Sequence, residues 1–219
     1  MTQAFVILKR ESERVPGKNW RLLEGRPLYQ WILDTLAELP TVDRVLIDTD
    51  APELVTALPD ARFHVHRRAA ALCGHEITAN ALLAAHLPDR GGEPWLMVHA
   101  TSPFLRAATL ARALTRFALG DVDSLFGATC HRARFWREDG TPLNHDPALL
   151  VPTQALAPLY EEDSSLYLFT PDSFWRTGSR LGQRPAPFAV PRLEALDIDT
   201  EEDWDLVAAI ARAHRQPAA

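Results

Sequence analysis

Short apolar runs recur along the chain, and their spacing is the strongest constraint on its fold. They are AFVIL (Ala4–Leu8), RVLID (Arg44–Asp48), RFHVH (Arg62–His66), WLMVHA (Trp95–Ala100), SLFGATC (Ser124–Cys130), SLYLFT (Ser165–Thr170) and ALDI (Ala195–Ile198). Several are apolar at every position, which a strand needs only when both faces of its sheet are covered. Between them the apolar period lengthens to that of a helix. In PLYQWILDTLAEL, Leu28, Trp31, Ile32, Thr35, Leu36 and Leu39 share one face, as do Leu110, Ala113, Leu114 and Phe117 in AATLARALTRFAL. A last helix announces its start: Thr200 can cap, Asp203 follows three residues on, and Glu201 and Glu202 occupy the first turn ahead of Trp204, Val207 and Ile210. Strand alternating with helix predicts an α/β protein with a Rossmann-like, mostly parallel sheet and helices on both faces.

A length of 219 residues suits one such domain spanning the whole chain, 1–219. One stretch breaks the rhythm: His131 to Asp163 is rich in proline and turn residues and is expected to form an inserted subdomain, either packing on a partner or closing as a lid. The terminal HRQPAA is expected to fray. A net charge of −6 argues against nucleic acid or a membrane surface as a partner, so any phosphate chemistry must be local. No apolar stretch approaches a membrane span, and the opening apolar run is too short for a secretory signal. The two cysteines, Cys73 and Cys130, match no metal spacing and are expected as buried free thiols, so a cytoplasmic location is predicted.

Ligands of open parallel sheets bind at the carboxyl ends of the strands. The exit from the first strand reads ILKRESERVPGKN, where Lys9, Arg10, Arg14 and Lys18 lie within ten residues and Pro16–Gly17 impose a turn. Such a loop can wrap a polyphosphate with charge-assisted donors, although composition alone fits a solvated loop equally well. It is neither GxxxxGK[ST] nor GxGxxG. In LDIDTEED, Asp197 and Asp199 lie two apart; on a strand they would point to one face and could share a hard dication such as Mg2+, or one could simply precede the capped helix. In HATSPFLR, Thr101 and Ser102 offer hydroxyls at a strand-to-helix junction, where plain capping is the simpler role. His64 and His66 alternate along a strand and read as packing or surface residues, and no GxSxG elbow indicates covalent catalysis.

Taken in order, these motifs resemble the acylneuraminate cytidylyltransferase family, the CMP-sialic acid synthetases, whose relatives include the CMP-Kdo synthetases. Lys9 to Asn19 is similar to the family's R-x-G-S-K-R-I-P-G-K-N, Ile47–Asp50 to V-S-T-D, and HATSPFLR to Q-P-T-S-P-L-R. Further on, Pro152–Phe169 is similar to R-T-Q-D-L-P-P-V-Y-x-E-N-x-x-x-Y, and LDIDTEEDW to D-I-D-T-x-x-D. The resemblance implies a CTP-dependent enzyme in which the hydroxyl of an acidic sugar attacks the α-phosphate, giving a CMP-sugar and pyrophosphate. It also implies roles. Lys9, Ser12, Arg14, Lys18, Asn19, Arg67, Thr101 and Ser102 would bind the nucleotide, with Arg14, Lys18, Asp197 and Asp199 catalytic. Asp197 and Asp199 would hold Mg2+, and His99, Gln154 and Tyr160 would face the acceptor. The excursion would serve a homodimer by reaching the neighbouring site. Departures fall at Lys9 (family Arg), Glu13 (Lys), His99 (Gln), Pro152 (Arg) and Ala155 (Asp). They turn the expected acceptor from sialic acid itself toward another nonulosonic acid, a Kdo-like sugar or a phosphonate. A nucleotide-binding paralogue without turnover and a nucleotidyltransferase that prefers another base are the alternatives, and Glu13 is expected either to turn away, to pair with Arg10 or Arg14, or to face the phosphates.

Overall fold

The computed structural model describes residues 2–215, without the side chains of 214 and 215; the rest of the tail expected to fray lies outside the described residues. In chain order the elements are β1 (Thr2–Leu8), a small hairpin of β2 (Leu22–Leu23) and β3 (Arg26–Pro27), α1 (Leu28–Ala37), β4 (Val42–Thr49), β5 (Phe63–Arg67), α2 (Ala79–Ala84) and β6 (Trp95–His99). Then follow α3 (Ala107–Phe117), β7 (Ser124–His131), β8 (Leu159–Phe169), α4 (Pro171–Thr177), β9 (Pro185–Ala189) and α5 (Glu201–Arg215). Seven strands form one sheet in the order β5-β4-β1-β6-β8-β7-β9. Six run one way; β8 alone is reversed, antiparallel to both β6 and β7.

Register decides where the site lies. Ile7 of β1 is opposite Asp48 of β4 on one side and His99 of β6 on the other, so three central strands end at one level. The chain leaving each must cross the same edge, which is where a parallel sheet offers its ligand crevice. Beneath that edge the sheet is covered on both faces. Ala4, Val6 and Leu8 pack under Ile32, Leu33 and Leu36 of α1 and Leu110 of α3. Phe5, Met97, Tyr167 and Phe169 meet Leu82, Leu83 and Phe174 on the other face. This is why β1 and β6 read as unbroken apolar runs.

A third cluster joins the two ends of the chain: Val15, Leu23 and Leu28 pack with Ile198, Trp204, Val207 and Ala211. Val15 lies in the cationic loop and Ile198 between the two aspartates, and both are fully buried. Apolar burial, at about 25 cal/mol per Å² removed from water, therefore holds the charged segments against each other.

Three sequence expectations are corrected. Ala195–Ile198 is not a strand: β6 already has β1 and β8 as neighbours, and the segment joins no described strand ladder, meeting the β6 exit through Ile198 N–H to Thr101 C=O at 3.0 Å. The two aspartates are therefore placed by a loop and a helix cap, not by strand alternation. The cysteines are free, but Cys130 is exposed and Cys73 half-buried, because Cys130 sits opposite Tyr160 where the β7–β8 ladder runs past the helices. β9, α2 and α4 were not anticipated; α2 is capped by Thr78 and α4 by a reciprocal Thr170–Ser173 box. The excursion is an irregular connection over 132–158, and residues 159–163 already belong to β8. No described helix is long and apolar enough to cross a membrane.

Candidate active site

The cationic loop is braced before it meets any ligand. Gly17 takes a left-handed φ of 62°, which glycine adopts without steric cost, and turns the chain into a single helical turn at Lys18–Trp20. Asn19 Nδ2 then donates to Lys9 C=O at 3.0 Å, and Trp20 Nε1 to Arg10 C=O at 3.1 Å, tying the far end of the loop to its start. Ser12 Oγ accepts from Val15 N–H at 3.4 Å. Arg10 turns away to pair with Glu53.

Two of the loop's other cations, Arg14 and Lys18, converge on one carboxylate. Arg14 reaches Asp199 Oδ1 at 2.8 Å and Lys18 Nζ reaches the same oxygen at 3.5 Å, while Nζ also donates to Ile198 C=O. Lys18 is 11% exposed, against 64% for Arg14 and 44% for Asp199. An ion pair as exposed as Arg14–Asp199 contributes at most about 1 kcal/mol to folding, so its charges remain available to a ligand. Asp199 is fixed from behind: Asp203 Oδ2 accepts from Asp199 N–H at 3.0 Å and Thr200 N–H at 2.8 Å, and Thr200 Oγ1 accepts from Asp203 N–H at 3.2 Å. This is the predicted capping box, and it aims Asp199 at the loop.

Two cavities meet at that contact. The first, of about 320 Å³, is walled by Lys9, Ser12, Glu13, Arg14, Lys18 and Asn19 on one side and by His75, Ile77, Ala79, Leu82, His99 and Thr101 on the other. Cations thus face apolar residues of α2 and the exit of β6. The second, of about 390 Å³, is lined by Thr129, His131, Glu161, Glu162, Asp163, Ser164, Arg192, Asp197 and Asp199.

Buried groups in these walls carry shifted pKa values. Burial lowers His99 to about 4, helped by Arg180 and Lys18 and opposed by Asp199, so its imidazole is neutral near pH 7. Its Nε2 is buried with no hydrogen-bond partner among the described residues. Burial raises the Asp197 carboxyl, and the charge of Asp199 adds to this, while a hydrogen bond from Thr101 and the charge of Lys18 oppose it. Asp197 Oδ1 is likewise buried without a hydrogen-bond partner among the described residues. Asp163 is raised by burial, against hydrogen bonds from Ser165, with Glu161 and Glu162 adding to the shift.

Lys9, Ser12, Arg14, Lys18, Asn19, His99 and Thr101 therefore share one cavity, with Asp197 and Asp199 in the adjoining one. Other expected site residues lie elsewhere. Arg67 lies outside both walls, 3.6 Å from Glu53, and the Ser102 hydroxyl is fully buried. Gln154 and Tyr160 are exposed and line neither cavity. Glu13 pairs with neither Arg10 nor Arg14: it faces His75 at 3.6 Å across the first cavity. Sequence reasoning missed His75 and the acidic wall Glu161–Asp163, although GHE and YEED were visible. It also missed Arg68, fully buried, which donates to Asp48 and to Leu8 C=O at 3.1 Å and so anchors the strand end from which the loop departs.

Comparison with known proteins bears on the fold and the family. The chain is 22% identical over 209 residues to N-acylneuraminate cytidylyltransferase A of Danio rerio and 25% identical over 210 residues to N-acylneuraminate cytidylyltransferase of Oncorhynchus mykiss, each match covering 92% of this chain and 48% of the relative. It thus spans about half the length of these relatives. Among solved structures, a CMP:2-keto-3-deoxy-manno-octonic acid synthetase complexed with CTP superposes with a TM-score of 0.66 at 14% identity, covering 97% of this chain and 99% of that one. A 4-diphosphocytidyl-2C-methyl-D-erythritol synthase from Anaerococcus prevotii gives 0.66 at 12% identity, covering 96% and 98%. These likenesses establish the fold. The family model described as Cytidylyltransferase matches residues 4–205, which include the cationic loop, the β6 exit and both aspartates, and the chain belongs to the cytidylyltransferase family.

Proposed function

We propose that the protein transfers CMP from CTP to a hydroxyl of an acidic sugar, a nonulosonic or Kdo-like acid, releasing pyrophosphate. The observation that carries this reading is the convergence of Arg14 and Lys18 on Asp199 at the junction of the two cavities. In this reading CTP lies in the first cavity, its triphosphate against Lys9, Ser12, Arg14 and Lys18, and the acceptor lies in the second, where Arg192 is the permanent cation. The α-phosphorus then sits at the junction. The acceptor oxygen forms its bond to phosphorus from one side as the bond to pyrophosphate breaks on the other, so the chain's task is alignment and charge neutralisation. Lys18, held by Ile198 C=O and Asp199, is already positioned and need not reorganise as charge builds. Neutral His99 brings no charge to the wall of the nucleotide cavity.

The residues fit a resident Mg2+. Asp197 Oδ1 is buried without a hydrogen-bond partner among the described residues, beside Asp199, and oxygen-only donors suit a hard dication that also binds phosphate. Bound there, Mg2+ would supply charge neutralisation on the phosphates, with Asp197 and Asp199 as its ligands.

Exposed apolar side chains on the 132–158 connection, Trp136, Leu143, Leu149, Leu150 and Val151, support a homodimer formed through that arm. The carboxylate of Glu13 in the nucleotide wall favours a second reading, a protein that binds CTP without turnover. A pyrophosphate-release assay over a panel of acidic sugars and phosphonates separates the two. Release that requires CTP, Mg2+ and an acceptor is expected; folded, CTP-binding protein that releases none with any acceptor would overturn the enzyme reading.

A further inference from the structure

Outside the two cavities, one cluster of metal-ligating side chains is brought together from three elements. Asp48 lies near the end of β4, His66 near the end of neighbouring β5, and His86 just past α2, where its N–H still bonds to Leu83 C=O at 2.9 Å. The two strand residues are opposite each other in the parallel ladder. One ligand atom from each of the three lies within 4.8 Å of the others.

We propose that Asp48, His66 and His86 form a binding site for a borderline transition-metal dication of the Zn2+ or Co2+ class, distinct from the Asp197–Asp199 pair. Donor chemistry selects the metal: two imidazoles and one carboxylate suit zinc, cobalt or nickel, whereas Mg2+ prefers oxygen alone. The carboxylate is held ready. Arg68 occupies Asp48 Oδ1, leaving Oδ2 to face His86 Nε2 at 2.9 Å. Arg68 thereby plays the part of an outer-shell group, orienting a ligand through the oxygen that does not bind. The His86 ring is held by Phe5, with ring centroids 5.5 Å apart, and meets the His66 ring edge-on at 4.6 Å.

Tetrahedral zinc with bonds of about 2.0–2.1 Å sets its ligand atoms about 3.4 Å apart, so the separations to His66, none above 4.8 Å, must close by at most about 1.4 Å while the Asp48–His86 contact of 2.9 Å opens slightly. Rotation of His66 can supply this, because it is exposed while Asp48 is buried and His86 nearly so. The same exposure gives the ion an entry path and leaves a fourth position for water. The guanidinium of Arg68 opposes a purely electrostatic cation, which further favours metals that bond strongly to imidazole nitrogen. A bound ion would tie the ends of β4 and β5 to α2, whose Ala79 and Leu82 wall the first cavity.

The test uses tag-free protein stripped with a chelator and then titrated with Co2+ and with Zn2+ in excess Mg2+. The expected result is saturable binding of one equivalent, cobalt absorption bands of tetrahedral intensity, and a rise in melting temperature with Zn2+. His66→Ala, at an exposed position where folding is retained, should weaken binding at least tenfold, and His86→Gln should do the same. Absence of saturable binding, or affinity unchanged in His66→Ala, would overturn the proposal. If His86→Gln fails to fold, the His66→Ala result decides alone.

Discussion

Arg14 and Asp199, from opposite ends of the chain, meet at 2.8 Å at the junction between two cavities. Both are substantially exposed, so the pair adds little to stability and much to the field a nucleotide would meet. Asp199→Asn should therefore lower the turnover of CTP-dependent pyrophosphate release by about 100-fold or more, a usual loss when a group stabilising transition-state charge is removed. Urea melts should show stability changed by no more than about 1 kcal/mol. Equal losses of activity and stability would place the pair in the scaffold instead.

Glu13 faces His75 in the wall of the first cavity, where a triphosphate would meet its carboxylate. Replacing a like charge with an opposite one at an exposed position is worth about 1–2 kcal/mol. Glu13→Lys should then tighten CTP binding roughly 5- to 30-fold, and added salt should erode the gain. Calorimetry at two ionic strengths measures both effects, and weaker binding in the variant would mean that Glu13 is a ligand contact.

His99 has a folded pKa of about 4, against an ordinary value of 6.5, because burial disfavours the imidazolium. The unfolded chain therefore takes up a proton between those values while the folded chain does not. Stability should fall as pH drops from about 6.5 to about 4 and should not depend on His99 above that window, the total being on the order of a few kcal/mol. Melting temperatures across pH 4–8 should fall less steeply on the acid side for His99→Gln than for the parent.

Gly127 lies where β8 leaves no room for a side chain. A Cβ there would come 2.6 Å from Asp163 Oδ1 and closer still to Ser165 Oγ. Gly127→Ala should cost about 1–3 kcal/mol, since the Ser165 and Asp163 side chains packed against it must shift. It should also raise the KM for the acceptor more than that for CTP, because the displaced Asp163 lines the second cavity alone.

Thr200 and Asp203 form the box that aims Asp199. Thr200→Ala should cost about 1 kcal/mol in chemical denaturation and reduce turnover through Asp199 rather than through CTP affinity.

Much of this was legible in the chain itself, for identifiable reasons. β1 and β6 are covered on both faces and so are apolar throughout, and α5 carries its cap in plain letters. The loop Lys9–Asn19 and the two aspartates could be named because their chemistry is local: charge, a turn and a cap. β9 was hidden because PAPFA holds two prolines, tolerated on an edge strand that needs few N–H donors. Asp197 and Asp199 were placed on a strand because LDI has strand composition, whereas the sheet has no free ladder there to receive it. The Glu13–His75 and Asp48–His86 contacts join segments far apart in sequence, and no pattern within either segment announces the other.

The cluster of Val15, Leu23, Leu28 and Ile198 also has a consequence for biosynthesis. Since its halves are the first loop and the approach to α5, the apolar closure that seats Lys18 beside Asp199 joins segments 180 residues apart, and contacts of such high sequence separation form slowly. A chain emerging from the ribosome can pair β1 with β4 well before this, yet Arg14 and Lys18 lack Asp199 until the segment leading into α5 has been made. The junction between the cavities thus cannot form until the chain has been made as far as α5, so a nucleotide held at that junction would report that synthesis has passed this point.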